Sequence, residues 1–163
     1  MNQIEIIKSK IFSGKTLEYQ LARWRFKGKK IVFTNGCFDI IHQGHIDYLA
    51  KASDYGDVLI IGLNTDNSVN RIKGPSRPVQ DEYSRALLLA SFQFVTAIIL
   101  FDEETPYNLI KMIQPDVLVK GADYKEEDIV GYDIVKTKKG KVVTLNYLEG
   151  HSTTTIISKI KSL

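Results

Sequence analysis

Residues 30–52 read "KIVFTNGCFDIIHQGHIDYLAKA". The β-branched and aromatic run from Ile31 to Thr34 stops at Asn35-Gly36, which predicts a buried strand closed by a tight turn. A helix is expected to begin near His42–His45, and "HIDYLAKASDYG" (45–56) carries it to Gly56. This strand–loop–helix unit repeats outward. Apolar runs at "DVLIIGLNTD" (57–66), "TAIILF" (96–101), "DVLVKG" (116–121) and "GKVVTLNY" (140–147) predict four more strands. Helical spacing appears in "QDEYSRALLLASFQF" (80–94), in "TPYNLIKMIQ" (105–114) with Thr105 as N-cap and Pro106 at the first helical position, and in "STTTIISKIKSL" (152–163). Upstream, "TLEYQLARWRFKGK" (16–29) places Leu17, Leu21 and Trp24 on one stripe.

The strands are continuous apolar runs rather than polar–apolar alternations, so both faces of the sheet are covered. The expectation is an α/β fold, a Rossmann-like doubly wound parallel sheet of about five strands. One domain spans 1–163, with residues 1–28 as an N-terminal helical segment. Ligands of such sheets bind outside the carboxyl ends of the strands. The informative stretches are therefore 34–45, 64–74, 101–105, 120–124 and 146–155.

Composition narrows the chemistry. With 44% hydrophobic and 25% charged residues, the 163-residue chain reads as an ordinary globular domain. No apolar run approaches the ~20 residues that cross a bilayer, and the start lacks a secretory signal pattern. Cys37 is the single cysteine and cannot form an internal disulfide, which fits a reducing, cytoplasmic setting. A net charge of +3 suits an anionic small molecule. No dense basic block argues for nucleic acid, and "KTKKGKV" (136–142) reads as a solvated loop.

Paired imidazoles at His42 and His45 have three readings: metal ligands, core residues, or binders of negative charge. Positions three apart share a helix face, so both point from a helix start into the cleft, where free N–H groups favour anions. Gly44 between them leaves room for a ligand against the backbone. A metal would need a third ligand such as Asp39, but the spacing is not that of structural zinc sites, and no metal ligand set is assigned. The far end of the chain offers a second anion site. There Gly150 precedes the hydroxyls Ser152, Thr153 and Thr154 at a helix start, although one hydroxyl would suffice for simple capping. Arg71, Lys73 and Arg77 lie in an apparent glycine–proline loop, Arg85 follows on a helix, and Lys120-Gly121 ends a strand. No Walker sequence, GxGxxG or Ser-His-Asp arrangement accompanies them. The inventory suits binding of a polyphosphate and stabilisation of charge on phosphorus.

Gly36 to His45 resembles the GxFDxxHxGH signature of the cytidylyltransferase-like nucleotidyltransferases, and "GHSTTTII" (150–157) resembles their second signature. Longer stretches, including "LNTDNSVNRIKGPSRPV" and "FDEETPYNLIKMIQPDVLVKGADYKEEDIVG", are similar to the heptose 1-phosphate adenylyltransferase branch. That resemblance implies transfer of AMP from ATP, with Mg2+, to D-glycero-β-D-manno-heptose 1-phosphate, giving ADP-heptose and pyrophosphate for lipopolysaccharide inner-core synthesis. It implies His42, His45, Lys73 and Arg85 as catalytic. It implies Thr34, Asn35, Gly36, Phe38, Gly44, Lys120, Gly121, Asp123, Ser152, Thr153 and Thr154 as nucleotide-binding. Asp39, Asn64, Asp66 and Arg71 fall to the sugar phosphate. A homodimer is implied, with no nucleic-acid or membrane partner. "NYLEGHST" lacks the arginine of the cytidylyltransferases' "RTEGIST". His151 stands where the family often shows an apolar, aromatic or cysteine residue. The alternatives are a cytidylyltransferase for a small phosphorylated alcohol such as glycerol 3-phosphate, and a non-catalytic nucleotide-binding protein.

Overall fold

The computed structural model describes residues 1–122 and 125–163. Among the described residues the strands are β1 (Ile11–Phe12), β2 (Ile31–Gly36), β3 (Val58–Asn64), β4 (Ala97–Phe101), β5 (Val117–Gly121) and β6 (Lys141–Leu145). The helices are α1 (Gln3–Lys8), α2 (Gly14–Phe26), α3 (Gln43–Ser53), α4 (Asp66–Lys73), α5 (Glu82–Ala90), α6 (Tyr107–Ile113), α7 (Tyr132–Thr137) and α8 (Thr153–Lys161). All strand pairs are parallel, in the order β1-β4-β3-β2-β5-β6.

The sheet has six strands rather than five. The extra one, β1, lies inside the segment read as helical and pairs Ile11 with Ile98 and Phe12 with Ile99 at the edge of the sheet. Two residues are too few to show a period in sequence. Residues 66–73 form α4 where a loop was expected; only Val69 and Ile72 are apolar there, so the pattern was hidden. Thr65 caps this helix by accepting from the Ser68 N–H at 3.2 Å. Pro106, not Thr105, occupies the N-cap of α6, and no side chain caps it.

The alternation of side chains along each strand explains the two-layer burial. Phe33, Ile60 and Ile99 face α2 and α6 with Leu17, Leu21, Trp24 and Ile110. Val32, Ile61 and Ile98 face α3 and α5 with Leu49, Ala52 and Leu89. All seven residues of β3 are buried, as its unbroken apolar run requires. From β2 the chain builds outward to β3 and β4, then returns to place β5 on the other side of β2. The strand order thus reverses between β2 and β5, and a crevice opens beyond their carboxyl ends, Gly36 and Gly121.

Candidate active site

A cleft of about 520 Å³ occupies that crevice, and Gly36 and Gly121 both line it. Asn35, Phe38, Asp39, His45, Asn64, Lys73, Lys120 and Thr153 share its walls. These residues come from both ends of the chain.

The loop after β2 is tightly determined. Phe38 has a left-handed backbone (φ 44°), a strained conformation for a bulky residue. Its ring lies against His45 at 5.2 Å and 64° and leaves no room for a side chain at 36, where a Cβ would sit 2.9 Å from the ring. Asp39 is buried and fully engaged. It pairs with Arg77 Nε at 2.5 Å and accepts from the N–H groups of Val79 (2.7 Å) and Gln80 (3.1 Å). Thr34 is buried beneath the floor and bonds the Tyr48 hydroxyl at 2.8 Å. Burial pushes that phenol's pKa up, and it stays protonated.

His42 is the N-cap of α3 but makes no side-chain cap bond, and His45 lies one turn in. Their rings stack at 3.8 Å and 24°. Both Nδ1 atoms are buried without a hydrogen-bond partner, as is Asn35 Oδ1. Unpaired buried polar atoms are costly; Asn35 and His45 line the cleft, and His42 stacks on His45 just outside that lining. Burial, His42 and Lys73 together lower the His45 pKa from 6.5 to about 4, so the ring is neutral at physiological pH. Burial and the neighbouring His151 lower that of His42. A neutral imidazole still offers one N–H donor.

At the other end, Ser152 is the N-cap of α8 and accepts from the Thr155 N–H at 3.0 Å. Thr153 faces the cleft, with its hydroxyl 3.5 Å from the Ile40 carbonyl, whereas Thr154 is exposed and outside it. The start of α8 therefore leans on the loop that carries the histidines.

Cations line the opposite wall. Lys120, at the end of β5, has no ion-pair partner among the described residues, and burial lowers its pKa to about 8. Lys73, in the last turn of α4, is exposed at the cleft mouth and likewise unpaired among the described residues. Four charged residues singled out in the sequence do not line the cleft, Arg77 among them through its pairing with Asp39. Arg85 is fully buried and donates to the carbonyls of Cys37 (2.6 Å) and Gln80 (3.0 Å) and to Asp66 Oδ1 (2.8 Å). Asp66 is thereby held at the start of α4. Arg71 turns away to Asp102 at 3.2 Å. Asp123 lies outside the described residues.

Sequence reasoning did not single out Cys37, Tyr48, Tyr147, Glu104 or Asp128, which also line the cleft. Tyr48 was findable, because it lies three residues beyond His45 on the same face of α3. Tyr147 crosses so close to Gly121 that a Cβ there would lie 1.9 Å from its hydroxyl. Its position depends on the path between β6 and α8, which carries no periodic signal. Among the described residues, no cluster of three or more His, Cys, Asp or Glu side chains suits a metal ion. No described helix is long and apolar enough to cross a membrane. A second hollow of about 490 Å³ at the amino ends of the strands is ringed by Arg25, Lys29, Lys30, Lys138, Lys139 and Lys141. Arg25 and Lys138 there donate to the Ile113 and Gln114 carbonyls that end α6, and Lys29 pairs with Asp57 at 3.3 Å.

A family profile described as cytidylyltransferase-like matches residues 33–159. The bifunctional protein HldE of Campylobacter jejuni subsp. doylei is 56% identical over 147 residues, covering 90% of this chain and 31% of that protein. The bifunctional protein HldE of Wolinella succinogenes is 49% identical over 154 residues, covering 94% and 32%. The chain thus spans about a third of the length of these curated relatives. Among solved structures, the lipopolysaccharide core biosynthesis protein of Thermoplasma volcanium superposes with a TM-score of 0.62 at 28% identity, covering 76% of this chain and all of that one. Pantoate-beta-alanine ligase of Francisella tularensis shares the fold, with a TM-score of 0.54 at 18% identity over 94% of this chain and 78% of that one.

Proposed function

The chain belongs to the cytidylyltransferase-like family, and on that premise we propose that it is an adenylyltransferase that moves AMP from ATP to D-glycero-β-D-manno-heptose 1-phosphate. The observation that carries the proposal is the cleft shared by His45 and Thr153, 108 positions apart in the chain and on one wall at the β2/β5 reversal. The likeness to proteins named bifunctional HldE and to a lipopolysaccharide core biosynthesis protein supports this sugar phosphate as the acceptor.

In this reading an oxygen of the sugar phosphate forms a bond to the α-phosphorus while the bond from that phosphorus to the α–β bridging oxygen breaks. The electron pair leaves with pyrophosphate. A phosphate monoester has its second pKa near ~6 and is mostly dianionic at neutral pH, so no general base is required. The obstacle is bringing anions together and holding the charge of the in-line transition state. His42 and His45 donate N–H bonds to the α-phosphate and the leaving oxygen. Lys120 and Lys73 offset the charge of nucleotide and acceptor. Thr153, with the first-turn N–H groups of α8, holds the distal phosphates, Asn35, Gly36, Phe38 and Gly121 shape the floor, and Gly44 lets the starts of α3 and α8 approach each other. Thr34 supports that floor through Tyr48, and Asn64 faces the acceptor.

Arg85, Asp66, Asp39 and Arg71 act as positioning residues, because their polar atoms are engaged within the protein. Ser152 caps α8, and Thr154 serves through its backbone. Magnesium arrives with ATP and is held mainly by its phosphates and water. One nucleotidyltransferase domain over 1–163, acting as a homodimer in the cytoplasm, completes the proposal; sedimentation equilibrium tests the dimer.

The function is tested by pairing ATP or CTP with heptose 1-phosphate, glycerol 3-phosphate or ethanolamine phosphate and measuring pyrophosphate release. Release with ATP and heptose 1-phosphate, with α-phosphate label in the sugar nucleotide, is the expected result. Preference for CTP and glycerol 3-phosphate, or nucleotide binding without turnover, overturns it.

A further inference from the structure

His151 was singled out in the sequence and has no part in the account above. It follows Gly150, whose left-handed backbone (φ 78°) turns the chain into the cap of α8. The residue is exposed, but its Cβ is anchored at the start of α3. A Cβ at position 44 would lie 3.4 Å from His151 Cβ and 3.1 Å from His42 Nδ1. The glycine of the HxGH stretch is therefore where the starts of α3 and α8 close on each other, and His42 and His151 flank it.

Three features of this junction favour one kind of ligand. First, all three histidines of the chain gather there, and none of the ion pairs among the described residues involves an imidazole. His151 lies close enough to His42 to help burial lower its pKa. Second, His42 Nδ1 is buried and unpartnered. Third, two helix starts converge. In α8 only the Thr155 N–H is taken, by Ser152 Oγ, which leaves the first-turn N–H groups at 153 and 154 without an intrahelical partner. The arrangement also has sides. His45 and Thr153 line the cleft with the acceptor-facing residues Asn64 and Lys73, whereas His42 and His151 lie outside that lining.

We propose that His151 is a third imidazole of the phosphate site, contacting the leaving pyrophosphate between the starts of α3 and α8. The proposal rests on the nucleotidyltransferase reading and adds a residue that acts on the leaving group rather than on the acceptor. One hydrogen bond to a phosphate oxygen at an exposed rim is worth about tenfold in affinity.

Titration calorimetry with pyrophosphate alone, and with ATP and magnesium, compares wild type with His151→Ala and His151→Lys. Steady-state constants for ATP, pyrophosphate inhibition and heptose 1-phosphate are measured on the same proteins. His151→Ala is expected to weaken pyrophosphate binding and inhibition about tenfold and to raise the KM for ATP in parallel. The KM for heptose 1-phosphate stays unchanged, and His151→Lys, which restores an N–H donor there, recovers most of the loss. Unchanged pyrophosphate affinity overturns the proposal. So does an equal rise in all three constants, which is the mark of general disruption. If wild type makes no sugar nucleotide, the proposed function falls, and pyrophosphate calorimetry on the free protein still decides whether His151 binds the anion.

Discussion

Arg85 gives the sharpest separation between a residue that touches substrate and one that builds the site. It bridges three segments: the histidine loop through the Cys37 carbonyl, the 77–80 loop through the Gln80 carbonyl, and α4 through Asp66. Its side chain is 0% exposed, whereas that of Asp66 is 39% exposed. Arg85→Ala leaves two carbonyls without their donor and a carboxylate without its cation. Breaking a buried pair costs 3–5 kcal/mol, and since water can reach Asp66 the low end applies, about 3 kcal/mol. For a domain of this size that lowers Tm by roughly 6–12 °C. Arg85→Lys keeps the charge but cannot reach all three acceptors, so it falls between. Urea titration and thermal melts followed by circular dichroism measure the loss, and pyrophosphate release gives kcat on the same samples. Activity should fall in step with stability, because the loops lose their tether. A lysine variant melting within about 1 °C of wild type, yet roughly a hundredfold slower, would refute the positioning role and return Arg85 to the transition state.

His45→Ala is expected to fold and to lose about a hundredfold in kcat, the usual cost of removing one preorganised donor. The depressed pKa of His45 also makes a stability prediction. The unfolded imidazole takes a proton near 6.5 and the folded one near 4, so stability is complete above 6.5 and is lost as the pH falls toward 4. Urea midpoints at pH 7 and pH 4.5 should show a loss of about 2 kcal/mol, after discounting for solvent screening, that His45→Gln removes. For Lys120 the folded pKa is lowered from 10.5 to about 8, so its destabilisation is greatest below pH 8 and disappears by about 10.5. Lys120→Met should therefore raise the urea midpoint at pH 7 but not at pH 10.5, while weakening ATP binding about tenfold. Gly44→Ala gains helix propensity of about 1 kcal/mol, but its Cβ meets His42 Nδ1 at 3.1 Å. Its melting temperature should stay close to wild type while kcat falls, as the imidazoles are pushed apart.

The doubly wound sheet was legible because β2, β3, β4 and β5 are buried on both faces and spell unbroken apolar runs. The reversal between β2 and β5 then put the loop ends at 34–45 and 120–121 beside each other. What sequence could not supply was side-chain partnership. Asp66, Arg71 and Arg85 looked like cleft residues from their positions after strands and on a helix, and Asp39, which does line the cleft, looked free to meet a ligand. Each instead meets a partner at least 19 positions away: Arg77, Asp102 or the Arg85–Asp66 pair itself. No periodicity encodes such pairings. β1 and α4 were hidden for simpler reasons, one by its length of two residues and the other by its polar face.

The central claim is that the starts of α3 and α8 hold one triphosphate between them. The most direct measurement is a crystal structure with a non-hydrolysable ATP analogue and heptose 1-phosphate. The account predicts an α-phosphate oxygen within about 3 Å of a His45 ring nitrogen and the distal phosphates between Gly44 and Thr153. A triphosphate found elsewhere, such as in the lysine-ringed hollow at the amino ends of the strands, would contradict it.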